Sequence, residues 1–146
     1  MADLKSVDPR RRLITIVGTL GAHNISGLLA DNMMSVARGS DSYTIERGVN
    51  GEVNRHRNPA SNELTITINL LASSPSIKVL SDYKNLDNVN NRGVFAIYFK
   101  DFNSNSEISS LNAYILNDTP GFSDGSAAHE WVIQLVDATT NYNNIA

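Results

Sequence analysis

Glu63-Leu64-Thr65-Ile66-Thr67-Ile68-Asn69-Leu70 alternates without a break. Leu64, Ile66, Ile68 and Leu70 point one way; Thr65, Thr67 and Asn69 point the other. Successive side chains of a strand leave on opposite faces, so the segment reads as a strand with one dry and one wet face. The wet face carries Thr and Asn rather than Lys and Glu, which suits a solvated but weakly charged surface. Just upstream, residues 48–62 form a long polar stretch, read as one contact loop between two strand-like segments.

The composition agrees with a β-protein. At 146 residues the chain matches one domain, large enough to bury a core without staples. Charged residues make up 18%, below the usual quarter. Asn and Ser fill the deficit, and both favour turns over helix interiors. A net charge of −3 argues against global attraction to nucleic acid or an acidic membrane. With no cysteine, disulfides, thiolate zinc sites and cysteine nucleophiles are excluded. The charged opening residues run into no apolar h-region, so no signal peptide is expected. No apolar stretch approaches the ~18 residues of a membrane span, so no membrane anchor is expected and the chain should fold in a cytosol.

Along the chain, residues 1–11 read as a polar N-terminal arm and Arg12 to Thr19 as the first strand. A short strand is possible near His23-Asn24-Ile25. Residues 32–38 and 42–47 look like strands joined across Gly39-Ser40-Asp41, which has turn chemistry. One segment reads as a helix: Ser74 is the expected N-cap, Pro75 the first helical position, with Ile77, Leu80 and Tyr83 at helical spacing and an end before Asn88. Arg92 to Asp101, with Phe95, Ile97 and Phe99, is a nearly continuous apolar run, expected to be buried on both faces. Leu111 to Leu116 and His129 to Ala138 are further strands. Trp131 begins the core alternation Trp131, Ile133, Leu135, and residues 139–146 read as a polar tail, free until a partner orders it. The expected fold class is mainly β: a single domain of two packed antiparallel sheets (sandwich or partial barrel), about seven strands, with one flanking α-helix.

No catalytic constellation emerges, so no enzyme, metal or cofactor is expected. His23, His56 and His129 lie far apart, and His129-Glu130 lacks the second helical histidine of a zinc site. No serine sits in Gly-x-Ser-x-Gly. Gly18-Thr19-Leu20-Gly21 lacks the glycine pattern and lysine of a phosphate loop. Asp101-Phe102-Asn103-Ser104-Asn105 lacks the glycine and closing Glu of a calcium loop.

In the order of its landmarks the chain resembles tail tube proteins of contractile-tailed phages. Asn50-Gly51-Glu52 opens a loop and Asn58-Pro59 precedes the alternating strand. Ser73-Ser74-Pro75 leads into one helix, and Gly93-Val94-Phe95-Ala96-Ile97 is followed by Asp101. Glu130-Trp131-Val132-Ile133 sits in the last strand, before an Asn-rich end that lacks glycine. The resemblance implies the fold shared with inner tubes of type VI secretion machines, hexameric rings stacked head to tail, and strands of every subunit joined in one barrel around a lumen. It implies a virion structural protein of a bacteriophage tail, assembled in the host bacterial cytoplasm. Its partners would be itself, the tail sheath, baseplate and tail terminator proteins, with DNA passing the lumen during genome ejection without sequence-specific binding.

On that basis Thr65, Thr67 and Asn69 are lumen-facing candidates. Arg47, Glu52, Arg55, His56 and Arg57 are candidates for contact with the next ring or subunit; a merely solvated loop is the plain alternative, and DNA binding lacks interleaved aromatics. Arg10, Arg11 and Arg12 either pair with acidic residues of a neighbour or stay solvated. The alternative function is another virion component, a capsid decoration or connector protein, or a β-sandwich binding module.

Overall fold

The computed structural model describes residues 4–29, 33–121 and 128–144. It contains β1 (Arg12–Gly18), β2 (Gly21–Asn24), β3 (Met34–Arg38), β4 (Tyr43–Arg47), β5 (Val53–Arg57), β6 (Leu64–Leu71), α1 (Ser76–Asn90), β7 (Phe95–Asp101), β8 (Ser106–Thr119), β9 (Ala128–Val136) and β10 (Thr139–Asn141). The protein is mainly β, with a large antiparallel sheet ordered β2-β1-β7-β8-β9-β6-β3, a small β4-β5 sheet and one flanking helix.

The alternating segment is β6, and Leu64, Ile66, Ile68 and Leu70 are each at most 1% exposed. β8 makes the large sheet into two layers. Its first part, Ser106 to Ala113, pairs with β7; its second part, Asn112 to Thr119, pairs with β9. Register breaks at Phe95/Ile97 and Ile115/Asn117 re-aim the ladder where the layers diverge. One layer is therefore β2-β1-β7-β8 and the other β8-β9-β6-β3. Ile14 and Ile16 of β1, Phe95, Ile97 and Phe99 of β7, the β6 residues, and Trp131, Ile133 and Leu135 of β9 meet in one core.

The helix closes the side where the layers part. Leu80 and Tyr83 face the core, and the Tyr83 ring lies 4.9 Å from that of Phe95. The helix begins at Ser76, so Pro75 (φ −66°, ψ −19°) stands at the cap position rather than as the first helical residue, and Ser74 lies one residue before it, its Oγ accepting the Ser76 N–H at 3.2 Å. The helix runs past the expected stop at Asn88 to Asn90. It ends because Asn91 turns left-handed (φ 58°) and the Asp87 carboxylate takes the Gly93 N–H at 2.7 Å.

Several expectations are corrected. Among the described residues there are ten strands, not about seven. β3 does not pair with β4: β3 joins β6, and the chain crosses Gly39–Ser42 to start a separate ribbon. Asn32, expected in β3, lies outside the described residues. The stretch 48–62 is not one loop, because Val53–Arg57 forms β5 and Pro59–Asn62 a 3-10 turn. One valine followed by four polar residues, without alternation, hid that strand, which is stabilised by pairing rather than by burial. β7 is buried on one face only; Ala96, Tyr98 and Lys100 on its other face are half-exposed. The tail is not free: Thr139–Asn141 pairs with Glu107–Ser109 of β8, on the edge beyond the reach of β9. Ile145 and Ala146 lie outside the described residues, as does the start of the arm, residues 1–3.

Candidate assembly surfaces

The β4–β5 ribbon stands away from the body. All ten of its strand residues are exposed. Pairing of Tyr43 with Arg57, Ile45 with Arg55 and Arg47 with Val53 puts Tyr43, Ile45, Val53 and three arginines on one face. Thr44, Glu46, Asn54 and His56 share the other. The Arg55 guanidinium lies 4.1 Å over the Tyr43 ring. His56 Nε2 is 3.1 Å from Glu46 Oε1, but both groups are more than half exposed, so this pair adds little. Glu52 sits at the tip, where its carbonyl accepts the Gly48 N–H at 2.8 Å and Gly51 takes φ +91°. Asn58 fixes the root: its N–H donates to the Ser42 carbonyl, and its side-chain amide to the Asp41 carbonyl and Thr44 Oγ1. A two-stranded ribbon is marginal alone in water. Here the root is anchored and the blade has no covering layer.

The wet face of β6 lies in a broad, polar surface. Thr65 and Thr67 sit beside Ala37 and Ser35 of β3, and Thr65, Thr67 and Asn69 beside Gln134, Val132 and Glu130 of β9. Thr65 Oγ1 donates to Gln134 Oε1 at 2.8 Å. Glu130 is the one charged residue among these eight positions. This layer ends in two open edges among the described residues: β3 pairs with a strand on its β6 side only, and β8 beyond Ala113 pairs only with β9. Open edges invite another chain.

The three N-terminal arginines are held differently from the ribbon arginines. Asn103 grips the backbone of Asp8, accepting its N–H at 3.1 Å and donating to its carbonyl at 2.9 Å. Arg10 pairs with Asp8 at 3.0 Å, Arg12 approaches Asp101 at 3.7 Å, and Arg11 donates to the Phe102 carbonyl at 3.4 Å. Among the described residues, no carboxylate lies within ion-pair distance of Arg47, Arg55 or Arg57. The basic candidates therefore divide: the arm's are engaged within the chain, the ribbon's look outward.

One cluster escaped the sequence. Asp118 accepts from both Lys84 of α1 and His129 of β9, the latter at 2.8 Å, and the His129 ring stacks on Trp131 at 4.5 Å. Burial would raise the Asp118 carboxyl, but the hydrogen bonds from Lys84 and His129 outweigh it and hold it below its ordinary value. The three residues come from three elements: β8–β9 pairing sets His129 beside Asp118, and packing of α1 against β8 brings Lys84 to it. Asp101 is also lowered: burial opposes, and hydrogen bonds from Asn103 prevail.

His23 and His129 serve structure. His23 Nε2 lies 2.8 Å from Ser76 Oγ, which also accepts the Ser26 N–H and joins β2 to the helix start. Ser76 is fully buried, which keeps this pair from acting on a substrate. Among the described residues, no group of three His, Asp or Glu side chains could hold a metal ion.

Neither a family model nor the sequence of any curated protein matches the chain. Solved structures do. A chain of the anti-feeding prophage cap, a tube-terminating cap, superposes with a TM-score of 0.65 at 13% identity, over 97% of this chain and 95% of that one. A chain of the PVC sheath–tube complex, from an extracellular contractile injection system in its extended state, gives 0.63 at 15% identity, over 94% and 92%. A chain of the PVC sheath/tube terminator gives 0.63 at 16% identity, over 96% and 99%. At such identities the likeness is one of fold, and the fold is tail-tube-like.

Proposed function

We propose that this chain is a structural subunit of the tube of a contractile tail or contractile injection particle, and that it works by polymerising rather than by catalysis. The observation that carries the reading is the layer β8-β9-β6-β3, which has two open edges and a polar outer face almost without charge. When β3 of one copy adds to the open edge of β8 on the next, the edges vanish and the layers of successive copies close into one barrel. The contact is heterologous, so it closes into a ring in the plane, and ring contacts along the axis extend it to a tube. We take the ring to be a hexamer. Thr65, Thr67 and Asn69 then line the lumen, and a net negative subunit repels DNA phosphates, which keeps the conduit non-adhesive during genome delivery. The sheath, baseplate and tail terminator are the neighbours such a tube meets, in a virion assembled in the host bacterial cytoplasm.

A second reading, a terminator or cap ring, is favoured by the near-equal superposition on cap, tube and terminator assemblies. Electron microscopy of the purified protein tests both. Tubes of unlimited length with sixfold symmetry support the tube subunit, and isolated rings support the terminator. A strictly monomeric chain at high concentration, with no rings in particles, overturns the assembly reading.

A further inference from the structure

The outer face of the β1-β7-β8 layer is open where the sequence expects burial. A groove of about 450 Å³ crosses it, lined by apolar Val17, Ala96, Leu111 and Val136, by neutral polar side chains such as Thr15 and Ser109, and by Asp137. Leu111 is 84% exposed in mid-strand, opposite the register break in β7. Asp137, in the left-handed bend (φ 50°) between β9 and β10, forms no ion pair among the described residues. The other nearby charges, Lys100 and Glu107, already pair with each other at 3.3 Å. The groove thus offers a largely apolar floor edged by neutral polar groups, and one uncommitted carboxylate.

The same chain carries the complement. One face of the ribbon presents Tyr43, Ile45 and Val53 with Arg47, Arg55 and Arg57, apolar in the middle and cationic around it. Neither feature is satisfied within the chain, since all ten ribbon residues are exposed. We propose that the β4–β5 ribbon of one copy lies in the Leu111 groove of a second copy, with Ile45 and Val53 on the apolar floor and Arg55 toward Asp137. Donor and acceptor surfaces differ, so the contact is head-to-tail, as rings and filaments require. This rests on the assembly reading and names the partner surface within it.

The cysteine-free chain allows a direct test. Ile45→Cys and Leu111→Cys are purified separately, co-assembled and oxidised, so that any disulfide joins two copies. A linked dimer in the assembled fraction is expected, whereas Ile45→Cys mixed with Asn85→Cys, on the exposed face of α1, stays unlinked. Assembled particles without the Ile45–Leu111 link, or with equal linking to Asn85→Cys, overturn the docking and leave the tube reading standing. A wild-type chain that forms no assemblies overturns both. Leu111→Asp should keep the monomer's melting temperature and cut the assembled fraction roughly tenfold, the scale of one anchor residue; an unchanged assembled fraction also overturns the docking.

Discussion

β6 and the β4–β5 ribbon are built of similar hydrogen-bonded ladders, yet they differ in what covers them. β6 pairs on both sides and buries its whole dry face. The ribbon's strands pair only with each other, and every one of their residues is exposed. Backbone pairing alone therefore makes a strand here, but burial makes it stable. The first region completes the subunit; the second waits for something outside it.

That contrast breaks or sharpens at four points, in falling order of effect on the isolated chain. Ile68→Ala, with Ile68 fully buried, should cost about 2–5 kcal/mol in denaturant unfolding; a loss under about 1 kcal/mol would mean that β6 is not the core. Next comes acid. Asp118 and Asp101 sit below their ordinary 3.8 when folded. The folded state then binds fewer protons than the unfolded chain, so the stability these groups add is present above that value and is lost as pH falls below it. Unfolding measured from about pH 5 to about pH 2 should show this loss, and Asp118→Asn should flatten it. Arg55→Glu with Arg57→Glu should leave monomer stability within about 0.5 kcal/mol while weakening assembly. Normal tubes from that variant would remove the ribbon's charges from the contact. Smallest is amide exchange in the wild type: ribbon amides of the monomer should exchange near the unprotected limit and slow on assembly, while those of β6 stay protected throughout.

The fold was legible wherever burial imprints a period. Leu64 to Leu70 and Trp131 to Leu135 alternate because one face is dry, and Phe95 to Phe99 is marked as a strand by its apolar and aromatic run. Val53 to Arg57 and Thr139 to Asn141 bury little, so nothing in their sequence separates strand from loop. The continuous apolar run through Ala96 and Tyr98 signalled two covered faces; the chain covers one and leaves the Leu111 groove on the other. Of the contact candidates, Arg10 and Arg12 could not be told from Arg47 and Arg55 by composition. What separates them is Asp8 and Asp101, and Asp101 lies far along the chain.

β8 runs through both layers as one uninterrupted peptide, with β7 zipped to its beginning and β9 to its end. Tension applied to either layer travels to the other along covalent bonds instead of across a greasy seam. Such a subunit yields by peeling from its outermost ribbons inward, and its two halves do not slide apart.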